Sequence, residues 1–196
     1  MNKVIFLDVD GVLNCQTTKA SVGPWIGIES KKVKLLRQIV DETGARIVLS
    51  SSWKSGWFKG DKAAQDREAC YLDSKLKREG LRIVDKTFDK GLNRGVGIVN
   101  YVKDHDIDRF VILDDEVFDY EECGITDKLV KTEFYADDGG LGENHVSRAI
   151  ELLNSDHPCN NCSTRGSCDG WEAQFCCTLC HYNQSEHCDD CHTEDI

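Results

Sequence analysis

Carboxylate and hydroxyl side chains follow three apolar segments of the sequence, at the point where each segment ends. The segments "VIFL", "RIVL" and "FVIL" lead, in chain order, to Asp8, Asp10, Ser50, Ser51, Ser52, Asp114, Asp115 and Asp119. Carboxylates gathered at one place repel one another unless a cation lies among them. Hard oxygen ligands suit Mg²⁺, which proteins usually hold with one or two carboxylates together with substrate phosphate and water. Aspartates after strands also serve as turn formers and helix caps, but their repetition as Asp-x-Asp and Asp-Asp-x-x-x-Asp favours a metal site.

The elements that must position these residues alternate between strands and helices. Unbroken apolar runs predict buried strands over residues 3–9, 45–50, 81–87, 109–115 and 128–134. Apolar residues at helical spacing predict helices over residues 29–44, 63–80, 94–106 and 142–155. This alternation indicates an α/β fold, a Rossmann-like parallel sheet with helices on both faces. Such sheets bind ligands at the carboxyl ends of their strands, where the strand order reverses.

The composition divides the chain after residue 154. The 196 residues carry a net charge of −11, and 40% of them are hydrophobic. Residues 155–196 contain eight of the 11 cysteines, eight acidic residues and, besides histidines, the single basic residue Arg165. We therefore expect a core domain over residues 1–154 and a Cys/His-rich tail over residues 155–196. No apolar run reaches the ~20 residues that cross a bilayer, and the first residues are typical of a strand rather than a signal peptide, so we expect a cytoplasmic protein without a membrane partner.

Three motifs resemble those of the haloacid dehalogenase (HAD) superfamily of phosphatases. The segment "FLDVDGVLN" resembles the first motif of that family, "IVLSSSW" the second and "VILDDEVFD" the fourth. The resemblance covers about residues 3–153 and implies a Rossmann-like fold. The segments "SSSW", "NRGVGI" and "GLGENHVSRAIELL" are most similar to the small HAD domains of bacterial RNA-repair (Swiss-army-knife) proteins.

The resemblance implies a catalytic role for several residues of the first two motifs. Asp8 is then the nucleophile that forms an aspartyl-phosphate. Asp10 protonates the leaving oxygen and afterwards acts as the base for water. Ser50 donates a hydrogen bond to a phosphoryl oxygen, and Ser51 is the neighbouring candidate.

The resemblance also implies a basic side chain near the phosphate and a magnesium site. Arg94 is our choice for the basic side chain, with Lys90 as the rival. The expected ligands of Mg²⁺ are Asp8, the backbone carbonyl of Asp10, Asp114, Asp115 and Asp119. Which of these carboxylates bind directly and which bind through water is left open.

The gaps in which relatives of this superfamily carry a cap domain are short here. Residues 14–29 are too few for a folded cap, and residues 53–88 hold one helix and one strand that the core itself needs. We therefore expect a capless, open site, which can admit a large substrate such as a nucleic-acid end or a phosphoprotein.

The segment that follows the second motif interleaves aromatic and basic residues, in the order Trp53, Lys54, Trp57, Phe58 and Lys59. Aromatic rings that stack bases beside lysines that meet phosphates suit a single-stranded end, and Lys54 then binds substrate. In the alternative interpretation, the tryptophans pack beneath the loop and the lysines face solvent, since tryptophan is usually mostly buried.

The tail contains three Cys-x-x-Cys pairs and two further cysteines. These zinc candidates are Cys159, Cys162, Cys168, Cys176, Cys177, Cys180, Cys188 and Cys191. Two such pairs can close a tetrahedral Cys₄ site, and a 42-residue segment with few aliphatic residues needs such a source of stability. Structural zinc is therefore the favoured interpretation, with disulfides, an iron–sulfur cluster and disorder as alternatives. An acidic tail suits a protein partner better than nucleic acid.

Together these features predict a Mg²⁺-dependent phosphohydrolase that acts through an aspartyl-phosphate, with a preference for nucleic-acid or nucleotide phosphate ends. One alternative is a small-molecule phosphatase. The other is a non-catalytic HAD scaffold whose zinc-binding tail recognises a partner.

Overall fold

Five parallel strands form the centre of the fold in a computed structural model that describes residues 1–89 and 93–155. The strands of this sheet are β1 (Lys3–Leu7), β4 (Arg46–Leu49), β5 (Ile83–Lys86), β6 (Arg109–Asp114) and β7 (Leu129–Lys131). Two further short strands, β2 (Ser21–Val22) and β3 (Trp25–Ile26), pair with each other. The α-helices are α1 (Ser30–Thr43), α2 (Arg67–Arg78), α3 (Arg94–Asp104) and α4 (Glu143–Asn154). Two short 3₁₀ helices span Ser52–Gly56 and Thr126–Lys128.

The order of the strands places β1 at the centre of the sheet. The order is β5-β4-β1-β6-β7, and every pairing is parallel. The register pairs Leu7 of β1 with Leu49 of β4 and with Leu113 of β6. The residues that follow these three leucines therefore emerge side by side at the carboxyl edge, where the strand order reverses between β1 and β6.

Helices cover both faces of this sheet, as the strand–helix alternation predicts. Ile5 and Leu7 of β1 belong to a core cluster shared with α1, α2 and α4. Val4 and Phe6 point to the opposite face, into a second cluster that contains Ile98, Tyr101 and Val102 of α3. The strand thus buries both of its faces, which explains its uninterrupted apolar sequence. Each fully buried aliphatic or aromatic side chain contributes about 1.5–3 kcal/mol, so β1 is firmly held beneath the site.

Two local details differ from the sequence-based expectations. Helix α2 begins at Arg67 rather than at residue 63, because the Asp66 carboxylate accepts a hydrogen bond from Ala69 N at 2.8 Å and caps the helix there. Strands β2 and β3 form an unexpected hairpin, which two-residue strands are too short to reveal by alternation. In the described part of the chain, residues 14–29 and 53–88 hold no separate folded unit, in keeping with a capless fold.

Several predictions fall on residues that the structure does not describe. Lys90 lies outside the described residues, and so do the eight tail cysteines, so the boundary at residue 154 stays a prediction. Among the residues that are described, none of the helices has the length and apolar character that crossing a membrane requires.

Candidate active site

Three aspartates from two neighbouring strands meet at the carboxyl edge of the sheet. Asp8 follows β1, Asp114 ends β6 and Asp115 is the next residue. Each offers one carboxylate oxygen, and the three oxygens lie within 4.8 Å of one another. Asp8 N donates a hydrogen bond to Leu113 O at 2.9 Å, which continues the β1–β6 ladder into the site. The aspartates are thus placed by the strand register rather than by a flexible loop.

Arg94, the first residue of α3, balances part of this negative charge. Its Nη1 lies 2.5 Å from Asp114 Oδ2 and 3.4 Å from Asp8 Oδ1. The phenolic hydroxyl of Tyr120 donates to the same Asp114 oxygen at 2.7 Å. The ring centroid of Phe118 lies 4.0 Å from the guanidinium carbon, within the range of a cation–π contact. Arg94 is therefore fixed between two carboxylates and an aromatic ring.

Asp119 holds the start of α3 and is not one of the three clustered carboxylates. Its Oδ1 accepts a hydrogen bond from Gly95 N at 2.6 Å, and its Oδ2 accepts one from Val96 N at 3.1 Å. Negative charge at a helix N-terminus is favourable, since unpaired N–H groups point outward there. The structure thus gives this aspartate a different task from the metal ligation expected from the sequence: it fixes the helix that carries Arg94.

Burial and mutual repulsion raise the pKa values of the clustered carboxyl groups. Burial raises the pKa of Asp8 to about 7, helped by the charge of Asp114 and opposed by Arg94 and a hydrogen bond from Ser51. Burial and the charge of Asp114 likewise raise the pKa of Asp115 to about 6. The pKa of Asp114 is also raised by burial, against the effect of Arg94. A divalent cation would relieve this repulsion.

Asp10 is held at both carboxylate oxygens by neutral donors. Asn14 Nδ2 donates to Oδ1 at 2.8 Å, and the indole Nε1 of Trp53 donates to Oδ2 at 2.8 Å. Asn14 is itself fixed, because its Oδ1 accepts a hydrogen bond from Gly11 N at 2.9 Å. Gly11 adopts a φ of +73°, and a Cβ there would collide with the Asp115 carboxyl. The turn after β1 therefore requires glycine and sets the direction of Asp10.

The three serines after β4 point to different neighbours. The Ser51 side chain lowers the pKa of the Asp8 carboxyl as a hydrogen-bond donor does, and its Oγ accepts a hydrogen bond from Trp53 N at 3.4 Å. Ser50 is instead paired with Thr87, whose Oγ1 lies 3.5 Å from Ser50 Oγ. Ser52 lines the cleft above the aspartates. The serine side chain that acts on the Asp8 carboxyl is thus Ser51, the neighbour of Ser50 in the second motif.

Comparison with known proteins decides the family. A family model described as the HAD domain in Swiss Army Knife RNA repair proteins matches residues 4–146. The chain belongs to this HAD family. This confirms the resemblance drawn from the motifs and supports a phosphohydrolase.

One solved structure similar to the HAD domain is that of D,D-heptose 1,7-bisphosphate phosphatase from Burkholderia thailandensis. The two chains are 19% identical with a TM-score of 0.40, over 63% of this chain and 72% of that chain. Among curated proteins, the comparison finds no match.

Two of the clustered aspartates of the HAD domain, Asp8 and Asp115, open to solvent through a cleft of about 290 Å³. Its lining consists of Asp8, Asp10, Ser52, Arg94, Asp115, Glu116, Phe118, Phe134 and Tyr135. The ion pair between Arg94 and Asp8 therefore does not close the site. Asp114 is 1% exposed and lies behind Arg94 rather than in the lining of this cleft.

The aromatic and basic residues after the second motif do not form the expected stacking surface. Trp53 and Trp57 are buried, and the Trp57 indole donates to Asp73 Oδ1 at 3.1 Å, as the Trp53 indole donates to Asp10. Lys54 forms an ion pair with Asp89 and donates to Thr87 Oγ1 at 3.2 Å, and it is not part of the cleft lining. The tryptophans are therefore packed, as the alternative interpretation expects, and Lys59 faces solvent, but Lys54 is held in an ion pair instead of facing solvent.

Three aromatic residues of the cleft were missed by sequence reasoning. Phe118 lies four residues beyond Asp114, and Phe134 and Tyr135 follow β7. The sequence could have indicated Phe134 and Tyr135, because they follow the predicted fifth parallel strand, and the carboxyl end of that strand reaches the same edge of the sheet.

Proposed function

We propose that this HAD domain hydrolyses phosphate monoesters with Mg²⁺ and an aspartyl-phosphate intermediate at Asp8. The observation that carries the proposal is the position of Asp8. Its carboxylate lies at a solvent-accessible cleft, 3.4 Å from the Arg94 guanidinium and beside two further carboxylates. A structural ion pair has no need for a third carboxylate of raised pKa, whereas a phosphoryl-transfer site needs a nucleophile, a cation site and a basic side chain together.

The donor set fits a hard divalent cation. Three carboxylate oxygens within 4.8 Å of one another supply oxygen ligands alone, and Mg²⁺ prefers such ligands. Asp8 and Asp115 line the cleft, whereas both Asp114 oxygens already accept hydrogen bonds, from Tyr120 and Glu116 N among others. Asp8 and Asp115 would therefore bind the ion directly, with the Asp10 carbonyl. The ion would neutralise charge on the phosphoryl oxygens.

The residues of the chain account for both chemical steps. An Asp8 carboxylate oxygen attacks phosphorus, the bond from phosphorus to the ester oxygen breaks, and the Asp10 carboxyl gives its proton to that oxygen. Asp10 then takes a proton from water. The water oxygen attacks phosphorus, and the bond to Asp8 breaks to release phosphate. Arg94 and Ser51 hold the phosphoryl oxygens, where charge develops in the transition state.

Hydrolysis of p-nitrophenyl phosphate with and without Mg²⁺ tests this proposal. We expect Mg²⁺-dependent turnover that is abolished in Asp8→Asn. Turnover should be retained in Asp73→Asn, the same change at a carboxylate that accepts a hydrogen bond from the Trp57 indole. Asp10→Asn should accumulate a phosphoenzyme that hydroxylamine cleaves, because the leaving group departs without an acid while hydrolysis lacks its base. Equal rates for wild type and Asp8→Asn would favour the non-catalytic scaffold.

We further propose that the substrates are phosphate ends of nucleic acids or nucleotides. The support is the family description, which places such HAD domains in RNA repair proteins, together with the absence of a cap over the described residues. Oligonucleotides with 3′- or 5′-phosphates, compared with free nucleotides and sugar phosphates, test this preference. A uniform preference for sugar phosphates would favour the small-molecule alternative.

For the tail, zinc held by its cysteines remains our proposal, and a protein partner remains the proposed role of its acidic surface. Both rest on the Cys-x-x-Cys spacing and the charge of residues 155–196 alone.

A further inference from the structure

Two aromatic side chains, the half-buried Phe134 and the exposed Tyr135, line the cleft beside the aspartates. Their ring centroids lie 5.0 Å apart with planes inclined at 82°. The Tyr135 side chain is 80% exposed. An aromatic ring left open beside a charged cleft is a typical feature of a binding site. We call these two residues the aromatic pair.

The backbone of the aromatic pair is fixed even though the Tyr135 ring is open to solvent. Gln16 N donates to Phe134 O at 3.1 Å, and the Gln16 side-chain amide donates to Tyr135 O. Further along the same loop, Thr17 Oγ1 donates to Asp137 O at 3.0 Å, and the buried Lys32 ammonium donates to Gly139 O. The loop after β7 is thus tied to the segment that follows Asp10. A surface ordered in advance loses little entropy when a ligand binds.

The remaining lining of the cleft offers few partners for a hydroxylated substrate. Asp8, Asp10, Arg94 and Asp115 would surround the phosphate end of a bound ester. Beyond them, Ser52 and Glu116 are the polar side chains of the lining, against three aromatic rings. Of these rings, Phe118 is already engaged by the Arg94 guanidinium. The surface left for the ester's organic group therefore consists mainly of aromatic rings, with Ser52 and Glu116 as its polar neighbours.

We propose that the aromatic pair is a stacking subsite for a planar aromatic ring in the leaving group of the substrate, with Tyr135 as the principal contact. This inference rests on the proposed function, because it assumes that the phosphate binds at Asp8. The chemistry recognised is a flat ring, which a nucleobase and a simple aryl group both supply.

A matched pair of substrates isolates the ring from the phosphate. Adenosine monophosphate and ribose 5-phosphate carry the same ester and differ in the base. We expect Tyr135→Leu to lower kcat/KM for adenosine monophosphate by about 5- to 150-fold, the equivalent of about 1–3 kcal/mol for one stacked base. The same variant should leave ribose 5-phosphate hydrolysis unchanged, and Tyr135→Phe should retain the preference for the base.

Phe88→Leu is the matched control, since Phe88 is also 80% exposed and is not part of the cleft lining. This variant should leave kcat/KM unchanged for both substrates. Extending the comparison to 2-naphthyl phosphate separates the two sources of the ring. If 2-naphthyl phosphate is also preferred over ribose 5-phosphate and this preference depends on Tyr135, the subsite accepts any flat ring. If the preference is confined to adenosine monophosphate, the subsite is specific for nucleobases.

The outcomes separate this inference from the proposed function. Asp8-dependent hydrolysis with equal effects of Tyr135→Leu on both substrates, or with no effect, overturns the subsite and leaves the phosphatase intact. If wild type hydrolyses neither substrate, calorimetric binding to the Asp8→Asn protein decides. Tighter binding of adenosine monophosphate than of ribose 5-phosphate, lost on adding Tyr135→Leu, supports the subsite, and equal binding overturns it.

Discussion

The hydrogen bond from the Trp53 indole to Asp10 gives a sharp prediction about leaving groups. Trp53 comes from the second motif and reaches across 43 residues to hold the carboxylate proposed as the acid. Trp53→Phe keeps a large ring in the buried position and removes the N–H donor. Asp10 then keeps one anchor, the 2.8 Å bond from Asn14 to its other oxygen.

The expected magnitude follows from the type of bond that is lost. As the acid, Asp10 is a neutral carboxyl, and a hydrogen bond between neutral groups is worth about 0.5–1.5 kcal/mol. Because only Asn14 then directs this carboxyl, we expect the upper end, which is about a tenfold loss in the rate of the step that needs the acid. Substrates whose leaving group departs without a proton should escape this loss, since general-acid catalysis contributes nothing to them.

The assay compares kcat/KM for glycerol phosphate, an alkyl ester, with kcat/KM for p-nitrophenyl phosphate, an activated aryl ester. This ratio reports the first phosphoryl transfer and not the later hydrolysis of the aspartyl-phosphate. Trp53→Phe should lower the value for the alkyl ester about tenfold and that for the aryl ester by less than about twofold. Trp57→Phe is the matched control, because the same change there removes a bond to Asp73 and should leave the ratio unchanged.

If Trp53 has a merely structural role, Trp53→Phe should lower kcat/KM equally for both substrates and should also lower the melting temperature. That result would refute the view that the indole orients Asp10 for proton transfer. A shifted ratio in the Trp57→Phe control would refute it as well, because the effect would not be specific to the bond with Asp10.

Three further predictions concern charge, helix capping and metal. In metal-free protein the raised pKa values of Asp8 (about 7) and Asp115 (about 6) favour the folded state at low pH, so the free energy of unfolding should fall as the pH rises from about 4 to 7. Mg²⁺ should therefore raise the melting temperature more at about pH 8 than at about pH 5, and equal shifts would contradict proton-linked binding. Asp119→Ala should lower the free energy of unfolding by about 1–2 kcal/mol, and Asp66→Ala should do the same at α2. Only Asp119→Ala should also raise KM, because it loosens Arg94. Equal KM values in two variants that urea denaturation shows to be equally destabilised would exclude that role. Elemental analysis of the purified full chain should find one or two zinc ions, and protein free of both zinc and iron would exclude a metal-bound tail.

Much of the fold and part of the site could be predicted from the sequence, because both depend on local patterns. Uninterrupted apolar runs mark strands that are buried on two faces, and their alternation with helical segments requires parallel pairing. Once the pairing is parallel, residues after successive strands share one edge. Asp8 and the Asp114–Asp115 pair therefore meet, and Arg94 at the start of α3 faces them.

The tertiary structure alone decided what each side chain near that edge contacts. Asp119 bonds to the N-terminus of α3, Ser51 rather than Ser50 reaches Asp8, and the Trp53 indole joins Asp10 instead of facing a substrate. Hydrophobic periodicity fixes the face on which a residue of a strand or helix lies, but these residues belong to turns, where direction depends on φ and on distant packing partners. The aromatic pair could not be predicted for the same reason. Hydrogen bonds to residues 16–32, more than a hundred positions away in the chain, place the loop that carries it.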